Sequence, residues 1–114
     1  MRFWGLLGLC LSFLVLAGPA QAVQVVAATW YGNELRGHRT ASGEMFNPDG
    51  LTAAHRSLPF GTCLLVSNPR TGKSVKVRVN DRGPFTKGVS LDLSAGAARA
   101  IGMRSTQNIA MKRC

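Results

Sequence analysis

An all-β domain with one short helix is the fold class this 114-residue sequence predicts, on three observations. Gly, Pro, Asn and Asp recur about every eight to twelve residues, the punctuation of short strands joined by turns. Lys73 to Val79 alternates, with Val75, Val77 and Val79 on one face and Lys76 and Arg78 on the other, as a half-buried strand must. One stretch alone, the alanine-rich run from Ser94 to Ile101, carries helix signals.

Taken in order, the first 22 residues read as a cleavable export signal. Arg2 supplies one positive charge, Phe3 to Leu16 holds none, and Gly18-Pro19-Ala20-Gln21-Ala22 ends in small residues suited to cleavage after Ala22. An apolar run of about 14 residues is short for a membrane span, which needs roughly 20. Cys10 follows the bulky Leu9, which argues against lipid attachment. Residues 23–114 are then the working part: 114 − 22 = 92 residues, one small domain with no transmembrane segment, expected to be a monomer in the periplasm or cell wall.

Val25 to Tyr31 reads as the first strand and Thr62 to Ser67 as another, returned by the turn Asn68 to Gly72 into the alternating strand. Ser94 is placed to cap the helix, with Asp92 just before its positive end and Gly102 supplying a left-handed stop. Asn108 to Arg113 is the closing strand. It brings Cys114 back toward Cys63, and these two cysteines form an even count suited to one disulfide in an oxidising compartment.

Charge narrows the function. The whole chain carries 14 basic and five acidic residues, and removing residues 1–22 takes Arg2 alone, leaving 13 − 5 = +8. That balance implies an anionic partner. The basic residues are scattered, without the aromatic interleaving of a nucleic-acid surface, so a wall polymer is the expected partner and nucleic acid is not. Gly72-Lys73-Ser74 lacks the earlier glycine of a phosphate loop, and Asp92-Leu93-Ser94 lacks the glycine of an aspartic protease. His38 and His55 have no partner at ligand spacing, so neither metal nor cofactor is expected.

Carboxyl chemistry must draw on Glu34, Glu44, Asp49, Asp81 and Asp92, the five acids present. Glu44 ends the turn Thr40-Ala41-Ser42-Gly43, His55 closes Leu51-Thr52-Ala53-Ala54, and Asp81 opens the loop Asn80-Asp81-Arg82-Gly83-Pro84-Phe85. Together with Thr29-Trp30-Tyr31-Gly32, Leu58-Pro59-Phe60-Gly61-Thr62 and Asp92-Leu93-Ser94, these motifs make the chain resemble the catalytic domain of the rare lipoprotein A (RlpA) family. The resemblance implies a six-stranded double-psi β-barrel, a fold shared with expansins and barwin. It also implies an endolytic lytic transglycosylase, a lyase that cuts peptidoglycan strands lacking stem peptides and leaves 1,6-anhydromuramic ends.

By the same resemblance Asp81 is the acid–base residue, with Glu44 and His55 as its catalytic partners. Trp30 and Tyr31 are candidates for stacking on sugar rings. Arg82 is the candidate for gripping a muramic carboxylate, and Ser42 is a further substrate-binding position. Asn47 stands where the family commonly has an aspartate, and Val89 and Ser90 follow Gly88 where a basic residue is usual. The Asn47 departure supports a competing expectation, a non-catalytic expansin-like module that binds wall glycan without cutting it.

Overall fold

The computed structural model describes residues 22–114. The proposed export signal falls on residues 1–22 and so lies, apart from Ala22, outside the described residues. Six strands, β1 (Gln24–Tyr31), β2 (Thr52–Ala54), β3 (Cys63–Asn68), β4 (Lys73–Asp81), β5 (Leu91–Ser94) and β6 (Gln107–Arg113), close into a barrel in the order β1-β5-β2-β4-β3-β6. β1 pairs in parallel with β5, and β2 in parallel with β4; the other four ladders are antiparallel. Closure removes every free sheet edge.

Alternation fills the interior. Leu64 and Val66, Val77 and Val79, Leu91 and Leu93, and Ile109 and Met111 all point into one core, joined by Ala97, Ala98 and Ile101 of the single helix α1 (Ala95–Ala100) and its end. The predicted strands and helix match these elements to within one or two residues, β4 running on two residues to Asp81. β2 and β5 are three and four residues long, too short for alternation to mark them, and the 3₁₀ turn Asn33–Leu35 also went without a signal.

Ser94 ties α1 to the sheet. Its fully buried hydroxyl accepts from the backbone N–H of Ala97 at the helix start and from Thr52 N–H, and donates to the Gly50 carbonyl at 2.6 Å. Gly96 lets the chain at Asp49 pass close by: a Cβ there would meet the Asp49 carbonyl oxygen at 2.7 Å. A disulfide joins Cys63 to Cys114 across 51 residues. Closing a loop of that length stabilises the fold by about 4 kcal/mol through the unfolded chain.

Replacing Ser94 by Ala removes the helix cap and leaves the Thr52 N–H and Ala97 N–H without their acceptor. The expected cost is about 2 kcal/mol, seen as a melting midpoint lowered by about 10 °C. A shift under about 2 °C would show that the hydroxyl does not tie helix to sheet.

Candidate active site

Four strands bring one row of residues to the end of the barrel. Asp92 of β5 lies opposite Thr29 of β1 on one side and Ala54 of β2 on the other, and Ala54 lies opposite Asp81 of β4. Thr52 opposite Arg78 and Ala53 opposite Val79 would put Asn80 next to Ala54. A register shift between Ala53 and Ala54 puts Asp81 there instead. Two carboxyl-bearing residues therefore flank one buried alanine, their backbones about 10 Å apart at the usual strand spacing.

The two carboxyls sit in different surroundings. Asp92 is partly buried, and burial raises its pKa above the ordinary 3.8. The hydrogen bond from the Thr29 hydroxyl, 2.8 Å to Oδ1, opposes that rise, while the charges of Asp81 and Glu34 add to it. Asp81 Oδ1 instead accepts two backbone N–H groups, from Ala41 and Arg82, each at 2.9 Å. The buried Tyr31 hydroxyl lies near Asp81 but makes no hydrogen bond of ordinary geometry among the described residues. Burial, then the negative charges of Asp81 and Asp92, push its pKa far up, so it remains a neutral donor.

Glu44 is docked on β4. Arg78 grips its two oxygens at 3.0 and 3.1 Å, and the Asn80 amide donates to one of them. These bonds hold the Glu44 carboxyl below the usual carboxylate range, so at neutral pH it is an anionic anchor with no proton to give. Gly43, with φ of +92°, makes the turn that aims it. Thr40 donates to the Glu44 carbonyl, so the Thr40–Ser42 hydroxyl bond runs from Ser42. Ser42 thereby stabilises the turn that carries Ala41 to Asp81.

His55 follows Ala54, and its backbone N–H donates to the Asp81 carbonyl at 3.2 Å. Its Nδ1 accepts from the N–H groups of Ser57 and Leu58, which leaves the ring proton on Nε2. Burial first, then the charges of Arg82, Arg56 and Arg113, lower its pKa below 6.5.

The remaining sequence candidates separate. Tyr31 is buried and its ring stacks on Phe46, centroids 4.6 Å apart, so that face is closed to a sugar. Trp30 lies on the opposite side of β1 from Thr29 and Tyr31, as strand alternation requires, and its indole N–H donates to the Arg104 carbonyl. Arg82 donates to the carbonyls of His55 and Leu58 and lies over the Phe60 ring at 4.0 Å, so its guanidinium is engaged within the fold. The sequence reading took Asp92 as an approach to the helix cap. The structure has Ser94 as the cap, as expected, and turns Asp92 toward Thr29. The departure at Asn47 is local, since its side chain accepts from the Asp49 N–H in its own turn. Among the described residues there is no cluster of three or more potential metal ligands and no helix long and apolar enough to cross a membrane.

Nitrogen-15 NMR of the two histidines tests this geometry. His55 is expected as the neutral Nε2–H tautomer at pH 7, titrating below 6.5. Because its proton affinity is lower in the fold than in the unfolded chain, its contribution to stability is full above pH 6.5 and is lost as pH falls through the lower, folded value. An Nδ1–H tautomer would contradict the two backbone bonds.

Residues 23–112 match the double-psi β-barrel family described as lytic transglycolase. The probable endolytic peptidoglycan transglycosylase RlpA of Synechocystis sp. is 65% identical over 79 residues, 69% of this chain and 25% of the relative. The endolytic peptidoglycan transglycosylase RlpA of Yersinia pestis is 41% identical over 98 residues, 86% of this chain and 27% of the relative. This chain thus spans about a quarter of the length of either relative. Among solved structures, the apo expansin of Clavibacter michiganensis superposes with a TM-score of 0.66 at 24% identity, over 82% of this chain and 50% of that one, a likeness of fold. By the extent of the family match and by its identity to these relatives, the chain belongs to the RlpA-like family of lytic transglycosylase double-psi β-barrels.

Proposed function

We propose that this protein is an exported endolytic lytic transglycosylase that cleaves peptidoglycan glycan strands, with a preference for strands lacking stem peptides. The observation that carries the reading is the unequal carboxyl pair: Asp92, partly buried beside Thr29, faces Asp81 across the one intervening strand β2. Pairs whose surroundings push their proton affinities apart are the usual mark of acid–base work. The disulfide and the excess of basic residues suit an oxidising compartment outside the cytoplasm and an anionic wall polymer.

The chemistry needs one proton moved out and back. A carboxylic acid protonates the oxygen bridging muramic acid to glucosamine, and that bond breaks as positive charge builds at the sugar carbon. The sugar's own C6 hydroxyl then closes on that carbon and returns its proton to the carboxylate, so no water is consumed and a 1,6-anhydro ring forms. Asp92 is the better proton holder because burial and the Asp81 charge favour its neutral form. The Asp81 carboxylate faces the positive charge, steadied by the Ala41 and Arg82 N–H groups. The acid–base role that the resemblance assigns to Asp81 thus becomes a property of the pair. Glu44 and Ser42 hold the loop that fixes Asp81, His55 offers an Nε2–H donor, and Tyr31 offers a hydroxyl donor.

The expansin-like alternative drew its support from Asn47, whose side chain is committed to a turn. Product analysis separates the two readings. With amidase-stripped peptidoglycan, the parent is expected to release 1,6-anhydromuramic ends, and Asp81→Asn and Asp92→Asn each to lose at least about 100-fold in rate. Binding without release by the parent would leave a wall-binding module. Full activity in Asp92→Asn would return the acid–base role to Asp81 alone.

Stability distinguishes the carboxyls further. Asp92 binds its proton more tightly in the fold than in the unfolded chain, so stability falls as pH rises from the ordinary 3.8 through the folded value. Asp92→Asn, which keeps an acceptor for Thr29, is therefore expected to melt higher than the parent at pH 7 and to lose that advantage near pH 4. An unchanged or lower midpoint at pH 7 would count against a destabilised Asp92 carboxylate.

A further inference from the structure

The loop from Arg82 to Ser90 connects the two carboxyl-bearing strands. Because β2 lies between β4 and β5, the loop must pass the end of β2, where His55 and Arg56 follow Ala54. Arg56 reaches across and donates to three of its carbonyls, those of Pro84 at 2.8 Å, Thr86 at 3.3 Å and Val89. Arg82 reaches back the other way, donating to the His55 and Leu58 carbonyls at 3.2 and 2.8 Å. Each loop thus contributes the arginine that holds the other loop's backbone.

This reciprocal brace fixes a side chain that the fold does not need. Phe85 is 80% exposed, more than any other large apolar residue in the barrel. Its ring rests on Gly83, where a Cβ would lie 3.4 Å from Cε2. Thr86, Lys87 and Gly88, which follow it in the loop, are exposed and not apolar, so the loop presents one aromatic ring among polar neighbours in the chain. A single open aromatic face has the size and character to cover the C–H face of one sugar ring.

We infer that Phe85 is a stacking platform for one N-acetylated pyranose ring of the glycan, a subsite next to the Asp81–Asp92 pair, and that Arg56 is the positioning residue that holds it there. The inference rests on the glycan-cleaving reading for its ligand. It differs from that reading in placing specificity on a residue with no part in proton transfer. It adds a second open ring to the exposed Trp30 and stands in place of Tyr31, whose ring is covered by Phe46.

The test compares the parent with Phe85→Ala and Phe85→Trp, using N-acetylglucosamine hexamer for affinity by calorimetry and amidase-stripped peptidoglycan for kinetics. Phe85→Ala is expected to weaken hexamer binding and raise KM about tenfold, with kcat changed less than about twofold. Phe85→Trp is expected to restore both, and all three proteins to melt alike. Equal affinity and KM in Phe85→Ala would overturn the subsite even if cleavage proceeds. If no protein cleaves but Phe85→Ala still loses affinity, the subsite stands and the transglycosylase reading falls. Failure of the parent to bind either glycan would overturn both.

Discussion

The site depends on how β2 is paired. Three residues, Thr52 to Ala54, lie between the strands that carry the two groove carboxyls, parallel to one and antiparallel to the other. The register shift after Ala53 brings Asp81 level with Asp92, where regular pairing would have brought Asn80. Ala54, buried with Tyr31 and Phe46, lies between them, and the same strand end launches His55 and Arg56. Carboxyl spacing, the His55 backbone bond to Asp81 and the brace over the β4–β5 loop all follow from that one ladder.

Electrostatics then sorts the acids by what surrounds them. Glu44 meets Arg78, and Asp49 meets both Arg36 and Arg99, so each is held as an anion at the surface. Exposed pairs of this kind add little to stability but fix loop positions. Among the described residues no cation forms an ion pair with Asp92; it has Thr29, partial burial and another carboxylate across the intervening strand β2. Arg56 and Arg82, the arginines next to the site, are instead bonded to backbone carbonyls. They stiffen the loops without neutralising the carboxyl pair.

Much of the fold was legible in the sequence because half-buried strands announce themselves by alternation. Lys73 to Val79 did so openly, while β1, β3 and β6 showed as runs between turn residues. Ser94 and Gly102 marked the helix by capping chemistry. β2 and β5 were hidden because Thr-Ala-Ala and Leu-Asp-Leu-Ser are too short for any period to show. The site was legible in part. Asp81, Glu44 and His55 came to notice as rare titratable groups in loop motifs, and the structure does gather them at one end. Asp92 was obscured by its neighbour Ser94, since sequence shows the cap two residues away but not which side of a sheet a strand residue faces. Arg82 shows only its charge in the sequence, and tertiary contacts reveal that its Nη1 is bonded to the His55 and Leu58 carbonyls. The nearest sequence signal for Phe85 was an apolar residue among polar loop neighbours.

Carboxyl carbon-13 titration of the parent and of Asp81→Asn tests the coupled pair most directly. The account predicts that Asp92 titrates above the ordinary aspartate range in the parent and falls part of the way back once the Asp81 charge is removed, with burial keeping the remainder. An Asp92 that titrates in the ordinary range, or one whose titration ignores the loss of Asp81, would contradict it.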